Sequence, residues 1–317
     1  MSIPRIIKIA SRTSALALWQ TNEVKTRLEQ SGYSCQIIPV ESTGDLQLTQ
    51  PIYALGVSGV FTKQLDAALL NQQADIAVHS LKDVPTQLAK NIILAAVLER
   101  GAAEDIVIVK SKAILESNLS EATVATSSLR RRAQWLSKYP KHKIVPIRGN
   151  VQTRLKKFSE AKEIDAVIFA KAGLERLNLL PENAETLYWM LPAPAQGVIG
   201  IACREDDDEM KDICEKINHQ PSFITSWVER QFLQTLMGGC SVPVSALAHI
   251  SGSELEFEGA MHSFDGTRVF RVHIIMMVSE WQNAGTEAAE KLLRQPGAAK
   301  LIEEIRNKKW DEEGALN

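Results

Sequence analysis

Apolar and polar positions fall in short blocks along most of the chain, and the period of the blocks switches from two to about 3.6 and back. Arg5 to Ala10 alternates as a strand does, and Ser11 to Ser14 makes a polar turn. Leu16, Trp19, Val24 and Leu28 then recur at helical spacing, so the chain is expected to open with a βα unit. Cys35 to Val40 supplies a second strand. Glu41 to Ser58, with Gly44, Pro51 and Gly56, has no clear period and reads as a mobile loop or lid. Phe61, Leu65, Ala68 and Leu69 make an amphipathic helix, and Ile92 to Val97 another strand. Between them runs DIAVHSLKDVPT, from Asp75 to Thr86. Its Ile76, Ala77 and Val78 form the continuous apolar run of a strand covered on both faces. The run stops at His79 and Ser80, which leaves Lys82 and Asp83 in the crevice beyond the strand's carboxyl end, where open parallel sheets place their ligands. Pro85 keeps the segment from continuing as helix.

A second α/β run begins at Ile106. Strands are expected at Ile106 to Val109, Ala122 to Ala125, Ile144 to Ile147 and Ala166 to Ala170, and helices at Ser127 to Ser137 and Asn150 to Phe158. Such alternation implies parallel sheets joined by crossovers. Pro192, Ala193, Pro194 and Ala195 read as a hinge, and the apolar run Gly197 to Cys203 returns the chain to the first sheet. The acidic run Glu205 to Glu209 opens a helix. Ser222 to Met237 is a further helix, followed by a tight turn at Gly238, Gly239 and Cys240, three strands ending near Ile275, and two closing helices. The fold class is therefore α/β: two α/β lobes with a hinge plus a small C-terminal α+β domain. The expected division is 1–99 with 196–217, then 100–195, then 218–317.

Composition narrows the function classes. Of 317 residues, 45% are hydrophobic and 23% charged, as in a globular protein. No apolar run approaches the roughly 18 residues of a membrane span. The opening MSIPRIIKIASRTS lacks the apolar length and cleavage site of a signal peptide, so a cytoplasmic, reducing compartment is expected. A formal net charge of -2 argues against a surface that tracks nucleic acid, which makes any role of arginine local. The four cysteines show no CxxC pair and no zinc-type spacing, so no metal is expected. Cys35, Cys203 and Cys214 read as small buried hydrophobes.

Candidate chemistry gathers at strand ends. TSSLRRR, from Thr126 to Arg132, lies at a strand-to-helix junction. Leu129, Ala133 and Leu136 set the core face and are expected to turn Arg131 away from it, while Arg132 reads as surface. A second junction carries Arg148, Gly149 and Asn150 ahead of a helix with Arg154, and Arg12 follows the first strand. Free N–H groups and guanidinium forks at such places bind carboxylates or phosphates; a solvated arginine run is the plain alternative. Interleaved aromatics and binding motifs of nucleic-acid proteins are absent from the sequence, so a small polyanion is the expected ligand. Asp83 is the chemical centre, although such an aspartate also serves to cap a turn or to pair with Lys82. His79 reads as a satisfied histidine at a strand end.

The strings DIAVHSLKDVPT, TSSLRRRAQ, IRGNVQTRL, PAPAQGVIGIACR and GGCSVP, in this order, resemble the porphobilinogen deaminase family, as does the opening IASRTSALALWQ. The resemblance runs from about Ile7 to Pro243. It implies lobes like those of periplasmic binding proteins and a transferase that joins four porphobilinogen molecules head to tail, releasing ammonia, to give the linear tetrapyrrole hydroxymethylbilane for porphyrin and heme biosynthesis. It implies a dipyrromethane cofactor on Cys240, with Lys82, Arg130, Arg131, Thr126, Ser127 and Ser128 binding the cofactor, Arg12, Ser14, Arg148 and Arg154 binding substrate, and Asp83 as the catalytic carboxylate. It further implies a monomer that uses no nucleic acid or membrane and hands its product to a following tetrapyrrole-pathway enzyme. Two departures stand out: Ser58 in GVSGVF and the nearby Ala54 replace residues that are commonly basic, and Met237 precedes GGC where an acidic residue is usual. The rival function is a non-catalytic two-lobe binder of a small polyanion, since a fold does not fix a function.

Overall fold

The apolar run Ile76 to Val78, expected to be covered on both faces, lies in the central strand of the first of two five-stranded sheets. A computed structural model describes residues 5–41, 62–237 and 242–307. The expected lid, with Ser58 and Ala54, and the GGC turn with Cys240 lie outside the described residues. In the first sheet β1 (Ile6–Arg12), β2 (Ser34–Val40), β3 (Ile76–Ser80), β4 (Ile92–Val97) and β10 (Ile199–Arg204) take the order β2-β1-β3-β10-β4. Helices α1 (Ala15–Gln30) and α2 (Lys63–Leu70) precede β2 and β3. Ile76 and Val78 join Ile7, Ile9, Val24 and Leu28 in the core on one face, and Ala77 joins Leu65 and Leu69 on the other. This is the physical content of an unbroken apolar strand: alternate side chains enter different cores.

The second sheet is β7-β6-β8-β5-β9, from β5 (Asp105–Val109), β6 (Thr123–Ala125), β7 (Lys143–Val145), β8 (Ala166–Ala170) and β9 (Ala184–Thr186). Around it lie α3 (Leu129–Lys138), α4 (Val151–Glu160) and the short α5 (Lys171–Glu175). Ile106 and Ile108 pack with Val167 and Phe169 on one face, and Val107 and Val109 with Val124 and Trp135 on the other. Neither sheet is wholly parallel as expected. β10 runs antiparallel to β3 and β4, and β5 antiparallel to β8 and β9. In each lobe the antiparallel strand belongs to the stretch that enters or re-enters the lobe across the hinge. A strand arriving from outside is under no crossover constraint, so hydrophobic periodicity does not register its direction.

After α6 (Asp208–Glu215), the long helix α7 (Gln220–Met237) leads to the antiparallel sheet β11 (Val244–Ser251), β12 (Glu254–His262), β13 (Val269–Met277), and α8 (Ala284–Leu293) and α9 (Ala298–Asn307) close the chain. Phe232 of α7 meets Phe257 of β12 with ring centroids 5.1 Å apart inside this separate core.

The two chain crossings between the lobes lie side by side, with Gly101 N–H donating to the Gly197 carbonyl at 3.1 Å. A side chain at Gly197 has no room: with φ at +83°, a Cβ there would stand 2.7 Å from the carbonyl oxygens of Gly101 and Ala102. Ala195, two residues earlier, is also left-handed, with φ at +60°. Between them the turn delivers Gln196 into the interface of the lobes.

Candidate active site

Asp83 ends the single 3-10 turn Leu81–Asp83 that follows β3, so the carboxylate sits past the strand end as expected and is exposed. The turn is fastened from two sides. Leu81 N–H donates to the Val198 carbonyl at 3.0 Å, and the Arg230 guanidinium of α7 reaches the carbonyls of Val84 at 2.9 Å and Pro85 at 2.7 Å. Lys82, half-buried, donates to Oε1 of Gln196 at 3.3 Å.

The facing lobe supplies both basic junctions. Ser128 caps α3 by accepting from Arg131 N–H at 3.4 Å, and Thr126 Oγ1 accepts from Ser128 N–H at 3.2 Å. Ser127 joins the two junctions: its hydroxyl donates to the Ile147 carbonyl at 2.8 Å and accepts from Ile147 N–H at 3.0 Å. Asn150 caps α4, accepting from Thr153 N–H at 2.8 Å, which sets Arg154 one turn in and its guanidinium 5.0 Å from the centre of the Phe169 ring. Arg148 and Arg154 are half-buried. In the first lobe Arg12 ends β1, and Ser14 caps α1 by accepting from Ala17 N–H at 3.4 Å.

Arg131 does not turn away from the core. It and Arg130 are 7% and 5% exposed, and both meet the carboxylate of Asp105, the first residue of β5, which is wholly buried. Arg131 donates to Oδ1 of Asp105 through Nε at 3.1 Å and through Nη2 at 2.8 Å, and Nη1 of Arg130 pairs with Oδ2 at 2.7 Å. Helical spacing identifies the apolar face of α3 but is silent about a carboxylate brought against its first turn by another strand. Arg132 is likewise half-buried, not surface, with its Nε lacking a partner among the described residues.

The electrostatics tie the lobes together. Burial pushes the Lys82 ammonium down to a pKa of about 8; Asp83 opposes that shift and Arg131 adds to it. Burial also lowers Arg154 to about 10, helped by Arg131 and opposed by Asp83. Burial of Asp105 disfavours its charge, but Arg130 and Arg131 outweigh this and hold it below the usual carboxylate range. Lys82 and Asp83 of one lobe are thus within electrostatic reach of Arg131 and Arg154 of the other. The Nε of Arg130 is buried with no partner among the described residues, an unmet donor. His79 is buried, and burial with Arg12 and Arg230 lowers it to about 4, so it is neutral. Cys203 and Cys214 are buried, while Cys35 is only half-buried. A cavity of about 300 Å³ beside Trp19, Arg27, Arg100 and Arg176 includes none of the candidate residues in its lining.

Sequence reasoning missed Asp105, Gln196 and Arg230. For Asp105 the one available signal was an acidic residue opening the apolar run DIVIV. Gln196 lies within PAPAQGVIGIACR, one of the strings that carry the family resemblance, whereas Arg230 carries no local signal.

Comparison with known proteins decides among the anion-binding possibilities. The family model described as "Porphobilinogen deaminase, dipyromethane cofactor binding domain" matches residues 7–212, and "Porphobilinogen deaminase, C-terminal domain" matches residues 223–294. The chain belongs to the porphobilinogen deaminase family. It is 38% identical over 303 residues to the porphobilinogen deaminase of Syntrophomonas wolfei, covering 94% of this chain and 99% of that protein. The identity with the Geobacter metallireducens porphobilinogen deaminase is 39% over 307 residues, 95% of each chain. With a probable porphobilinogen deaminase of Methanocaldococcus jannaschii it is 45% over 245 residues, 77% of this chain and 82% of that one. The methionine binding protein MetQ, a solved structure, aligns with a TM-score of 0.41 and 13% identity over 71% of this chain and 90% of that one. No helix among the described residues is long and apolar enough to cross a membrane.

Proposed function

We propose that the chain condenses four porphobilinogen molecules head to tail on a covalently held dipyrromethane, releasing ammonia and forming hydroxymethylbilane. The observation that carries this is the meeting of an exposed carboxylate and an ammonium from one lobe with a surplus of guanidinium groups from the other. Arg130 and Arg131 share one anion, Asp105, and Arg154 adds a further cation within electrostatic reach of Arg131 and Asp83. Pyrrole rings bearing acetate and propionate groups call for such a surplus.

The residues fit the cofactor. Cys240 is its attachment point in this reading, with Lys82, Arg130, Arg131 and the hydroxyls of Thr126, Ser127 and Ser128 as its surroundings; the unmet Nε of Arg130 supports a carboxylate there. When bound, dipyrromethane supplies the nucleophilic pyrrole carbon from which the chain grows. Arg12, Ser14, Arg148 and Arg154 orient the incoming porphobilinogen by its carboxylates. Asp83 stabilises the positive charge that develops as the substrate's protonated amine leaves as ammonia, and it stands to accept the proton released once the new carbon–carbon bond has formed.

The same reading divides the chain into 1–99 with 196–217, 100–195 and 218–317, which the membership of β10 in the first sheet supports. It extends to a cytoplasmic monomer whose product passes to the next tetrapyrrole-forming enzyme, a setting that suits the free thiols of Cys35, Cys203 and Cys214. The experiment is intact mass of the purified protein and of Cys240→Ser, with an assay of tetrapyrrole formed from porphobilinogen. The expected result is an added mass of two linked pyrrole units, absent from the variant, and product from the parent alone. A bare parent chain that stays bare and inactive after incubation with porphobilinogen would overturn the reading.

A further inference from the structure

We propose that Gln196 is a positioning residue for this reaction, an uncharged bridge that fixes Lys82 of the first lobe against the Asp105, Arg130 and Arg131 cluster of the second. The inference rests on the function proposed above and names a residue that function does not require. Gln196 is wholly buried between two left-handed residues, Ala195 and Gly197, so the hinge turn sends its side chain to one place. Each of its polar groups is engaged. Nε2 donates to the Ala103 carbonyl at 2.7 Å and to Oδ1 of Asp105 at 2.9 Å, while Oε1 accepts from Lys82 Nζ at 3.3 Å. Its backbone N–H donates to the Ala193 carbonyl at 2.9 Å, and its carbonyl accepts from Arg100 Nη1 at 3.1 Å.

The amide fits one way round. Turned over, its NH2 would face the Lys82 ammonium and its oxygen would face both the Asp105 carboxylate and the Ala103 carbonyl, three repulsive contacts in place of three hydrogen bonds. Glutamine therefore does here what a charged side chain does not, since it offers an acceptor to a cation and a donor to an anion at once. Lys82 needs that acceptor: Arg131 and Arg130 repel it, while Asp83 and Asp105 attract it. An amide oxygen steadies the ammonium without neutralising it, which leaves its charge for a carboxylate of the growing chain. The donor end does the complementary work. It gives Asp105 a third hydrogen bond at Oδ1, beside the two from Arg131, and so holds the anion that spaces the two arginines.

The test compares the parent with Gln196→Met, similar in volume and without the amide, and Gln196→Glu, which puts an anion before Lys82. Lys82 is titrated directly by the pH dependence of its acylation with an amine-selective reagent, located by peptide mapping, alongside kcat and KM as functions of pH. Gln196→Met is expected to move the Lys82 midpoint down and Gln196→Glu to move it up, each by about half a unit or more. In both variants kcat is expected to fall about tenfold or more with a smaller change in KM, the alkaline limb moving with the Lys82 midpoint. A Lys82 midpoint that is the same in the parent and both variants overturns the bridge. So does an unshifted midpoint in whichever single variant keeps the parent's circular dichroism, should the other fail to fold. The labelling needs no turnover, so a parent that makes no tetrapyrrole would overturn the proposed function while the Lys82 midpoints still judged the bridge.

Discussion

The carboxylate of Glu229 and the guanidinium of Arg100 lie 2.8 Å apart, and the Glu229 side chain is wholly buried. Glu229 stands on α7 of the C-terminal domain, Arg100 at the crossing between the lobes, and the same carboxylate also accepts N–H bonds from Ala195 at 2.6 Å and Ala248 at 2.8 Å. One anion thus joins the hinge, the lobe crossing and β11. Burial pushes its pKa up, while Arg100 and the two backbone N–H groups oppose that. Glu229→Ala leaves the half-buried Arg100 without its anion and the N–H groups of Ala195 and Ala248 without their acceptor. The expected loss is roughly 3–5 kcal/mol, read from urea unfolding, with Arg100→Ala similar and the double variant far from additive. An unchanged unfolding midpoint would show that the three parts are held by other contacts.

The hinge itself carries strain. Ala195 adopts φ of +60° with no room to relax, since its N–H is committed to Glu229 and the next residue to Asp105. A left-handed conformation costs a Cβ-bearing residue roughly 1–2 kcal/mol, and glycine returns part of that through its freedom in the unfolded chain. Ala195→Gly is therefore expected to raise stability by about 0.5–1 kcal/mol, a small upward shift in Tm by calorimetry. A fall in Tm would mean that packing of the buried methyl outweighs the strain.

Asp83 and Lys82 are predicted to separate activity from stability. Asp83 is exposed, so Asp83→Asn should leave the unfolding curve in place while turnover falls by about two orders of magnitude or more. Near-normal turnover would remove Asp83 from its role. For Lys82 the folded pKa, about 8, lies below the ordinary value of 10.5. Between those values the unfolded chain binds the extra proton, so this group makes stability rise with pH while the cation needed for binding is lost. In the cofactor-free protein, activity on reconstitution should decline through about pH 8 as the contribution of Lys82 to stability improves. Parallel decline of both would assign the alkaline limb to unfolding.

β3 and its polar terminus were readable because an unbroken apolar run followed at once by HSLKD is a local pattern, and both basic junctions were readable because capping is local too. The partner of Arg131 was not: Asp105 lies 26 positions away and arrives on a strand whose antiparallel direction leaves no trace in periodicity. Gln196 reaches Lys82 across 114 positions, a contact made only once both lobes exist. The sequence alone suggests that Arg131→Leu and Arg148→Leu are equivalent, surface-like losses of binding. The structure separates them. Arg131→Leu takes away two of the hydrogen bonds that compensate a buried carboxylate, so it should lower both stability, by about 3 kcal/mol, and cofactor assembly. Arg148→Leu, at a half-buried position, should impair chain extension with Tm nearly unchanged. Equal effects on Tm would show that Asp105 finds other compensation.

Two neutral histidines make acid stability a further test. His262 ends β12 on the sheet face away from the core of the C-terminal domain. It is buried all the same, because the turn after it packs on α3: a Cβ at Gly266 would stand 2.3 Å from the Ala133 carbonyl oxygen. Burial, with Arg271 and Arg130 beside it, lowers His262 to about 4, and His79 falls to the same value for like reasons. Both folded pKa values lie below the ordinary 6.5, so from pH 6.5 downward the unfolded chain takes up protons that the native protein refuses. Stability should therefore be lost as pH falls from about 6.5 to about 4, by up to roughly 3 kcal/mol for each histidine. Urea midpoints measured across that range should fall less steeply in His262→Phe, which keeps the ring and gives up the proton site. Because His262 ends β12 just before the turn that packs on α3, with Arg130 of α3 in electrostatic reach, the part of the acid loss it causes should appear as release of the C-terminal domain, visible as new protease cleavage near that junction. A His262→Phe variant with the parent's full acid dependence would assign the loss to His79 and to the carboxylates.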